Sequence, residues 1–284
     1  MKKMTPIQNK KIHTFVRAGI QLLFFLFFPS AFVAGWNGVK YIFTQLGRQE
    51  SVEMNSFVVV LCTLLAYTIV FGRFFCGYAC AFGTFGDAVR AAYVWTCKKS
   101  KKKPRTWKES WSRICLCLKY FVMAGIVMLC FLGRYSALRG SSPWDVFSMV
   151  TAGNFKLGAY GMGVALMVVI LIGMAFCERF FCRFLCPMGA VFTLMPVISL
   201  FSLKRTREEC VKGCSGCKRV CPSNLDLPEN EMTDVPGECI QCGKCVHACP
   251  RQNVKRMAVP KKLELVFVFV RAALLAAVLA WAGV

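Results

Sequence analysis

Residues 73–83 read RFFCGYACAFG and residues 179–189 read RFFCRFLCPMG, identical at six of eleven positions and offset by 106. Each stretch follows an apolar run. Cysteines at i and i+4 share one helix face about a turn apart, so each C-x3-C element presents two sulfurs in one direction. The flanking Arg-Phe-Phe recurs with the pair, as does a glycine three residues past the second cysteine. The repetition implies an internal duplication. Packed as a parallel pair about a pseudo-twofold axis, the halves bring Cys76, Cys80, Cys182 and Cys186 together on that axis.

Outward from these motifs the chain is apolar: 56% hydrophobic residues over 284, with 25 Phe and a mean hydropathy of +0.51. Stretches near 15–35, 56–75, 116–133 and 160–177 approach the roughly 20 apolar residues that a bilayer core requires, and a fifth, near 263–284, follows them. The first, IQLLFFLFFPSAFVAGW, is longer than a signal core and has a weak cleavage site, so it reads as a retained anchor.

The net charge of +22 is unevenly placed. Residues 1–17 carry Lys2, Lys3, Lys10, Lys11 and Arg17, and residues 97–113 carry eight Lys and Arg, whereas residues 36–55 and 134–159 carry two and three. The positive-inside rule then puts the N-terminus, the 97–113 loop and everything after the fourth helix in the cytoplasm. Topology and attraction to anionic membrane lipid account for the basic charge, and no nucleic-acid partner is expected. By the same topology most of the 18 cysteines face a reducing compartment, which points to metal rather than disulfides.

Residues 210–222 read CVKGCSGCKRVCP and residues 239–250 read CIQCGKCVHACP. The second is the C-x2-C-x2-C-x3-C-P run with which two-cluster bacterial ferredoxins hold 4Fe–4S cubes; the first has one extra residue between Cys210 and Cys214. Three thiolates can wrap one corner of a cube only if the chain curls tightly, which Gly213, Gly216 and Gly243 ease. The fourth cysteine of such a run ligates the opposite cluster. One cluster is therefore expected on Cys210, Cys214, Cys217 and Cys249, and the other on Cys239, Cys242, Cys245 and Cys221. A zinc ribbon also uses C-x2-C pairs, but two runs ending C-x3-C-P fit it poorly. His247, inside the second run, is expected to be a hydrogen-bonding or surface residue.

Converging thiols at Cys76, Cys80, Cys182 and Cys186 could hold a further metal or cluster, or exchange electrons as dithiols; buried cysteine also serves simple helix packing. Packing is the expected role of Cys62, Cys97, Cys115, Cys117, Cys130 and Cys177, which have no echo. Arg73 and Arg179 suit thiolates or lipid headgroups equally. Asp87 and Asp145 are candidates for quinol proton chemistry, with capping or turn roles the plainer expectation. Arg271 interrupts the last apolar stretch and leaves open how far that helix crosses.

Two C-x3-C motifs at membrane-helix ends, the second followed by Pro187, and then a two-cluster segment together resemble the NapH/NosR/CcoG membrane polyferredoxins, with NapH-like members nearest in size. The chain departs from the pattern at Ala81 and in its C-terminal helix. The expected fold is mostly α: a polytopic membrane bundle of four helices in two parallel repeats over 1–203, a cytoplasmic two-cluster ferredoxin-like domain over 204–260, and an apolar helix over 261–284. The resemblance implies electron transfer at the bacterial cytoplasmic membrane, between the quinone pool or a cytoplasmic donor and a partner reductase or flavoprotein. It equally admits a maturation factor or redox regulator of a metalloenzyme, with copper or thiol chemistry at the membrane cysteines. No nucleotide fingerprint or hydrolytic triad is apparent, so substrate chemistry is expected to belong to a partner.

Overall fold

The computed structural model describes residues 6–105, 115–138, 140–156, 158–198, 201–206, 208–227, 237–256, 258–260 and 263–284. Lys2, Lys3 and the 106–114 part of the basic loop lie outside the described residues. The fold is mostly helical. Helices α1 (Pro6–Phe27), α2 (Ala31–Gly47), α3 (Ser56–Phe71) and α4 (Ala81–Lys99) form the first half of the membrane region. They are followed by α5 (Leu118–Phe131), α6 (Pro143–Thr151), α7 (Gly161–Phe176), α8 (Phe180–Phe184) and α9 (Pro187–Leu194).

Local sequence explains the boundaries. Asn55 caps α3, its side chain accepting from the Val58 amide at 3.0 Å, and Gly72, at φ +70°, ends that helix. Ser142 caps α6 and accepts from the Asp145 amide at 3.3 Å, with Pro143 at the first helical position. Asp145 thus sits in a first turn, the place where an acidic side chain complements the helix dipole. That is the plainer of its two expected roles.

The single span expected over 15–35 is two helices. Gln8–Phe27 and Ala31–Gly47 meet at 61°, because Pro29 lacks the amide hydrogen that a continuous helix would use. Gly158–Phe176 and Glu264–Trp281 (α12) are each long and apolar enough to cross a membrane, and the bent pair makes a third candidate. Large apolar side chains stay exposed along these helices and α5: Phe15, Leu23, Phe121, Val169 and Val270. Soluble proteins rarely leave such surface uncovered; lipid covers it here, and the chain is a membrane protein.

The cysteine-rich segment folds as α10 (Gly216–Val220) and α11 (Lys244–Ala248), closed by two short antiparallel strands. Strand β1 (Leu203–Arg205) pairs with β2 (Val254–Arg256) in the register Leu203 to Arg256 and Arg205 to Val254. Its small core joins Leu203, Leu227, Val246 and Val254 to Cys245. The segment seats on the membrane helices, with the His13 ring of α1 stacked on His247 of α11 at 4.2 Å.

Helices α2 and α3 approach closely at Gly38, where a Cβ would collide with the Phe57 carbonyl and meet Leu61 Cβ at 2.9 Å. Gly38→Val should destabilise the helix pair by about 1–3 kcal/mol, read as a lowered thermal midpoint in detergent. Gly125→Ala, at a site with nothing within 4 Å of a new Cβ, should not lower it.

Candidate iron–sulfur site

In the cysteine-rich segment, Gly243 takes φ +72°, a left-handed turn that glycine makes without penalty, and so reverses the chain between Cys242 and Cys245. Cys217, Cys221, Cys239, Cys242 and Cys245 line one cavity, with Leu203 and Ile240 among its walls. Cys221 therefore lies with the second run although the first run encodes it. The converse holds for Cys249. Asn253 donates from its backbone amide to Cys249 Sγ at 3.3 Å and from Nδ2 to Cys210 Sγ at 3.3 Å, joining a cysteine of each run. Arg205 Nη1 donates to Cys217 Sγ at 3.2 Å.

Burial pushes the Cys239 thiol up to about 12 and raises those of Cys242 and Cys245 as well. Thiolates in such a place need a cationic complement, which bound iron supplies. Among the described residues no three His, Cys, Asp or Glu side chains are grouped as ligands of one metal ion. A 4Fe–4S cube takes four thiolates, one on each iron; eight cysteines in two runs, with N–H groups of Arg205 and Asn253 directed at their sulfurs, fit that donor set.

The two C-x3-C motifs fold alike. Neither is a regular helical turn as expected: the chain widens so that the Cys80 amide donates to the Phe75 carbonyl at 2.9 Å, and Cys186 donates to Phe181 at 2.9 Å. Each second cysteine then precedes a new helix, α4 or α9, with near-equal torsions of φ −64°, ψ 116° and φ −70°, ψ 110°. All four sulfurs are brought together. Cys80 lies within electrostatic reach of Cys76 and Cys182, and Cys186 within reach of the other three.

The repeated arginines face these sulfurs rather than lipid headgroups. Arg73 lies within electrostatic reach of Cys76 and Cys186, and Arg179 of Cys182 and Cys80, both guanidiniums being fully buried. They also cross over. Arg179 fills the space where a Gly83 Cβ would be, and Arg73 Nη2 comes within 3.1 Å of a Cβ built on Gly189. The glycine three residues past each second cysteine is thus needed by the other half's arginine, and in the second motif its amide also donates to the cysteine, Gly189 to Cys186 Sγ at 3.2 Å.

Acidic side chains hold the arginines in place. Asp87 accepts from Arg179 Nη2 at 2.6 Å, Arg17 Nη2 at 2.7 Å and Gln21 Nε2 at 2.8 Å, so it is an ion-pair hub rather than a cap or an open proton carrier. Arg179 itself sits at φ +59°, a strained conformation for a non-glycine residue that these contacts over-determine. Glu238 pairs with Arg73 at 3.4 Å and with the buried Lys119. Gly77 lies so close to the second cysteine run that a Cβ there would collide with the Ile240 carbonyl and meet Cys242 Cα at 3.6 Å. Tyr78 Oη donates to the Cys242 carbonyl at 3.1 Å.

Of the unrepeated cysteines, Cys130 and Cys177 are buried, whereas Cys62 and Cys117 are exposed and do not pack within the chain. The spacing of cysteines could not reveal Arg205 or Asn253, which act through tertiary contacts. Lys119 did carry a signal, as a lone charge in an apolar stretch, where partnered functional or structural roles are the rule.

Burial alone would raise the Asp87 carboxyl, but Arg179 and then Arg17 outweigh it and hold it well below the usual carboxylate range. A depressed folded value contributes stability above the unfolded value, near 4, that is lost as pH falls through the folded one. Asp87→Asn should cost about 3–5 kcal/mol at neutral pH, because two buried arginines lose their anion. It should also flatten the wild-type loss of thermal stability below about pH 4.

A family of 4Fe–4S binding domains matches residues 56–104 and 161–206, and a 4Fe–4S dicluster domain matches residues 202–261. An uncharacterized protein of Methanocaldococcus jannaschii is 27% identical over 81% of this chain and 90% of its own. YccM of Escherichia coli, provisionally named an electron transport protein, is 27% identical over 77% of this chain and 59% of its own. The ferredoxin-type protein NapH of Haemophilus influenzae is 25% identical over 68% of this chain and 64% of its own. No solved structure matches the chain. With the dicluster segment, the doubled motif and these relatives in agreement, the chain belongs to the NapH/NosR-type polyferredoxins, a family of iron–sulfur electron-transport proteins.

Proposed function

We propose that residues 204–260 form a cytoplasmic ferredoxin-like domain with one 4Fe–4S cluster on Cys210, Cys214, Cys217 and Cys249 and another on Cys239, Cys242, Cys245 and Cys221. The observation that carries the assignment is the exchange of fourth cysteines: Asn253 bridges Cys210 and Cys249, and Cys221 shares a cavity with the second run. When bound, each cluster accepts and passes one electron at a time. The chain's own residues set the terms of that transfer. Arg205 and Asn253 direct N–H groups at ligand sulfurs, which favours the more negative, reduced state.

In this reading residues 1–203 and 261–284 are a multi-pass anchor in the cytoplasmic membrane, built on two parallel repeats. The N-terminus and the ferredoxin domain face the cytoplasm, as the Lys and Arg asymmetry of the loops supports. The chain relays electrons between the quinone pool or a cytoplasmic donor and a partner reductase or flavoprotein, which performs the substrate chemistry. Copper or thiol chemistry at the membrane cysteines, as in a maturation factor or redox regulator, is the second reading, since soft thiolates suit copper(I).

Anaerobic purification of the full chain, followed by iron and sulfide analysis and an EPR-monitored redox titration with and without a quinol analogue, tests the reading. At least about eight irons per chain are expected from the two cubes; a colourless, zinc-loaded protein overturns it. Ligand exchange has its own signature. Cys221→Ala should perturb the EPR signal that Cys239→Ala perturbs, and Cys249→Ala the signal that Cys210→Ala perturbs; grouping by sequence run would refute the assignment. Arg205→Gln should lower the potential of the first cluster, since a positive charge leaves its ligand shell.

A further inference from the structure

We propose that Cys76, Cys80, Cys182 and Cys186 together hold a single iron–sulfur cluster, shared between the two halves of the membrane region and seated against the Cys239–Cys242 loop. Its neighbourhood rests on the ligand assignment above; its existence does not.

The sharing follows from the donors. Each stretch matched by the 4Fe–4S binding family contains one repeated C-x3-C pair, so neither motif alone offers four thiolates. The fold removes that shortfall by converging the pairs. All four cysteines are 5–7% exposed, so water does not compete for the site.

Charge supports the same cofactor. Four thiolates around an iron–sulfur core leave a net anion, whatever its oxidation state. The site answers with two buried guanidiniums, Arg73 beside Cys76 and Cys186 and Arg179 beside Cys182 and Cys80. The Gly189 amide donates to Cys186 Sγ at 3.2 Å, and Cys186 and Cys80 stand at the positive ends of α9 and α4. Four neutral thiols used only for packing would need none of these donors. The arginines would then be buried cations in excess of their acids.

The seat on the ferredoxin segment gives the centre a redox neighbour. Gly77, the residue after Cys76, is in contact with the Ile240 carbonyl and Cys242 Cα. Tyr78 donates to the Cys242 carbonyl, and Arg73 Nη1 donates to the Gly237 carbonyl at 3.1 Å, two residues before Cys239. A cluster held by the four cysteines would lie against the run that would hold the second cluster, and one-electron exchange between the two would break no bond and move no proton. The membrane motif then extends the relay toward lipid.

The full chain, purified without oxygen in detergent, carries the test. Wild type should hold iron and acid-labile sulfide above the roughly eight of each that two cubes supply. Cys76→Ala/Cys182→Ala should lose that surplus while keeping the dicluster EPR signals. A wild-type content of about eight, or equal iron in wild type and the double variant, overturns the proposal. The wild-type count needs no variant to fold. If instead Cys221→Ala and Cys239→Ala leave every signal untouched while the membrane double variant loses iron, the dicluster assignment fails and the shared centre stands.

Discussion

Everything in the membrane region is organised by a reciprocal clasp between its two halves. Arg179 of the second motif lies over Gly83 of the first, and Arg73 of the first lies over Gly189 of the second. Each arginine also lies within electrostatic reach of the first cysteine of its own motif and the second cysteine of the other. A side chain at either glycine would push the opposite guanidinium away and separate the halves. The clasp therefore couples two requirements, helix packing and control of charge around the sulfurs, in the same four residues. The repeated sequence records that coupling: Arg-Phe-Phe-Cys, the second cysteine and the glycine recur while the residues between the cysteines and before the glycine drift.

The acids that complete the clasp differ between the halves, and the difference has a structural consequence. Arg179 is held by Asp87 of α4, which also accepts from Arg17 and Gln21 of α1, all within the membrane region. Arg73 is held by Glu238 and the Gly237 carbonyl, immediately before the second cysteine run. One arginine thus braces the bundle, and its counterpart fastens the ferredoxin segment to it. A second fastening runs through Arg256, which donates from Nε to Glu264 at the start of α12 at 2.8 Å and also pairs with Gln241 between two cysteines. Docking of the cysteine-rich segment is accordingly polar and directional, which fixes its rotation over the membrane motif in a way apolar contact would not.

Much of this was legible from sequence where spacing alone decides it. The C-x2-C-x2-C-x3-C-P run, the doubled C-x3-C and the apolar stretches gave the family and the convergence of Cys76, Cys80, Cys182 and Cys186. The break at Pro29 was also written in the chain, but an apolar count over 15–35 averages across it. The widened turns at Cys80 and Cys186 were not legible, because a helical i, i+4 pair and a five-residue closure share one sequence pattern. Asp87 illustrates the remaining gap. Its distance from the motif in sequence says nothing of Arg17, 70 residues away, or Arg179, 92 residues away, and only the fold joins them.

The same physics accounts for the basic residues that topology leaves over. A positive-inside bias explains charge in loops, but Arg73, Arg179, Arg256 and Arg271 are buried. Arg271 has no hydrogen-bond acceptor for any guanidinium nitrogen among the described residues. It lies instead between the ring faces of Phe74 at 4.3 Å and Phe267 at 4.5 Å, an arrangement in which aromatic quadrupoles stabilise a desolvated cation. Phe74 belongs to the first C-x3-C motif, and the Tyr67 hydroxyl of α3 donates to the Arg271 carbonyl at 2.9 Å, so α12 is tied to the motif and to the helix before it. An apolar residue would fill that space at less desolvation cost. Of the four, Arg73, Arg179 and Arg256 meet a carboxylate, Glu238, Asp87 and Glu264 in turn. Arg271 relies on the two ring faces instead, so its cation is stabilised by aromatic packing at the point where α12 meets the first motif.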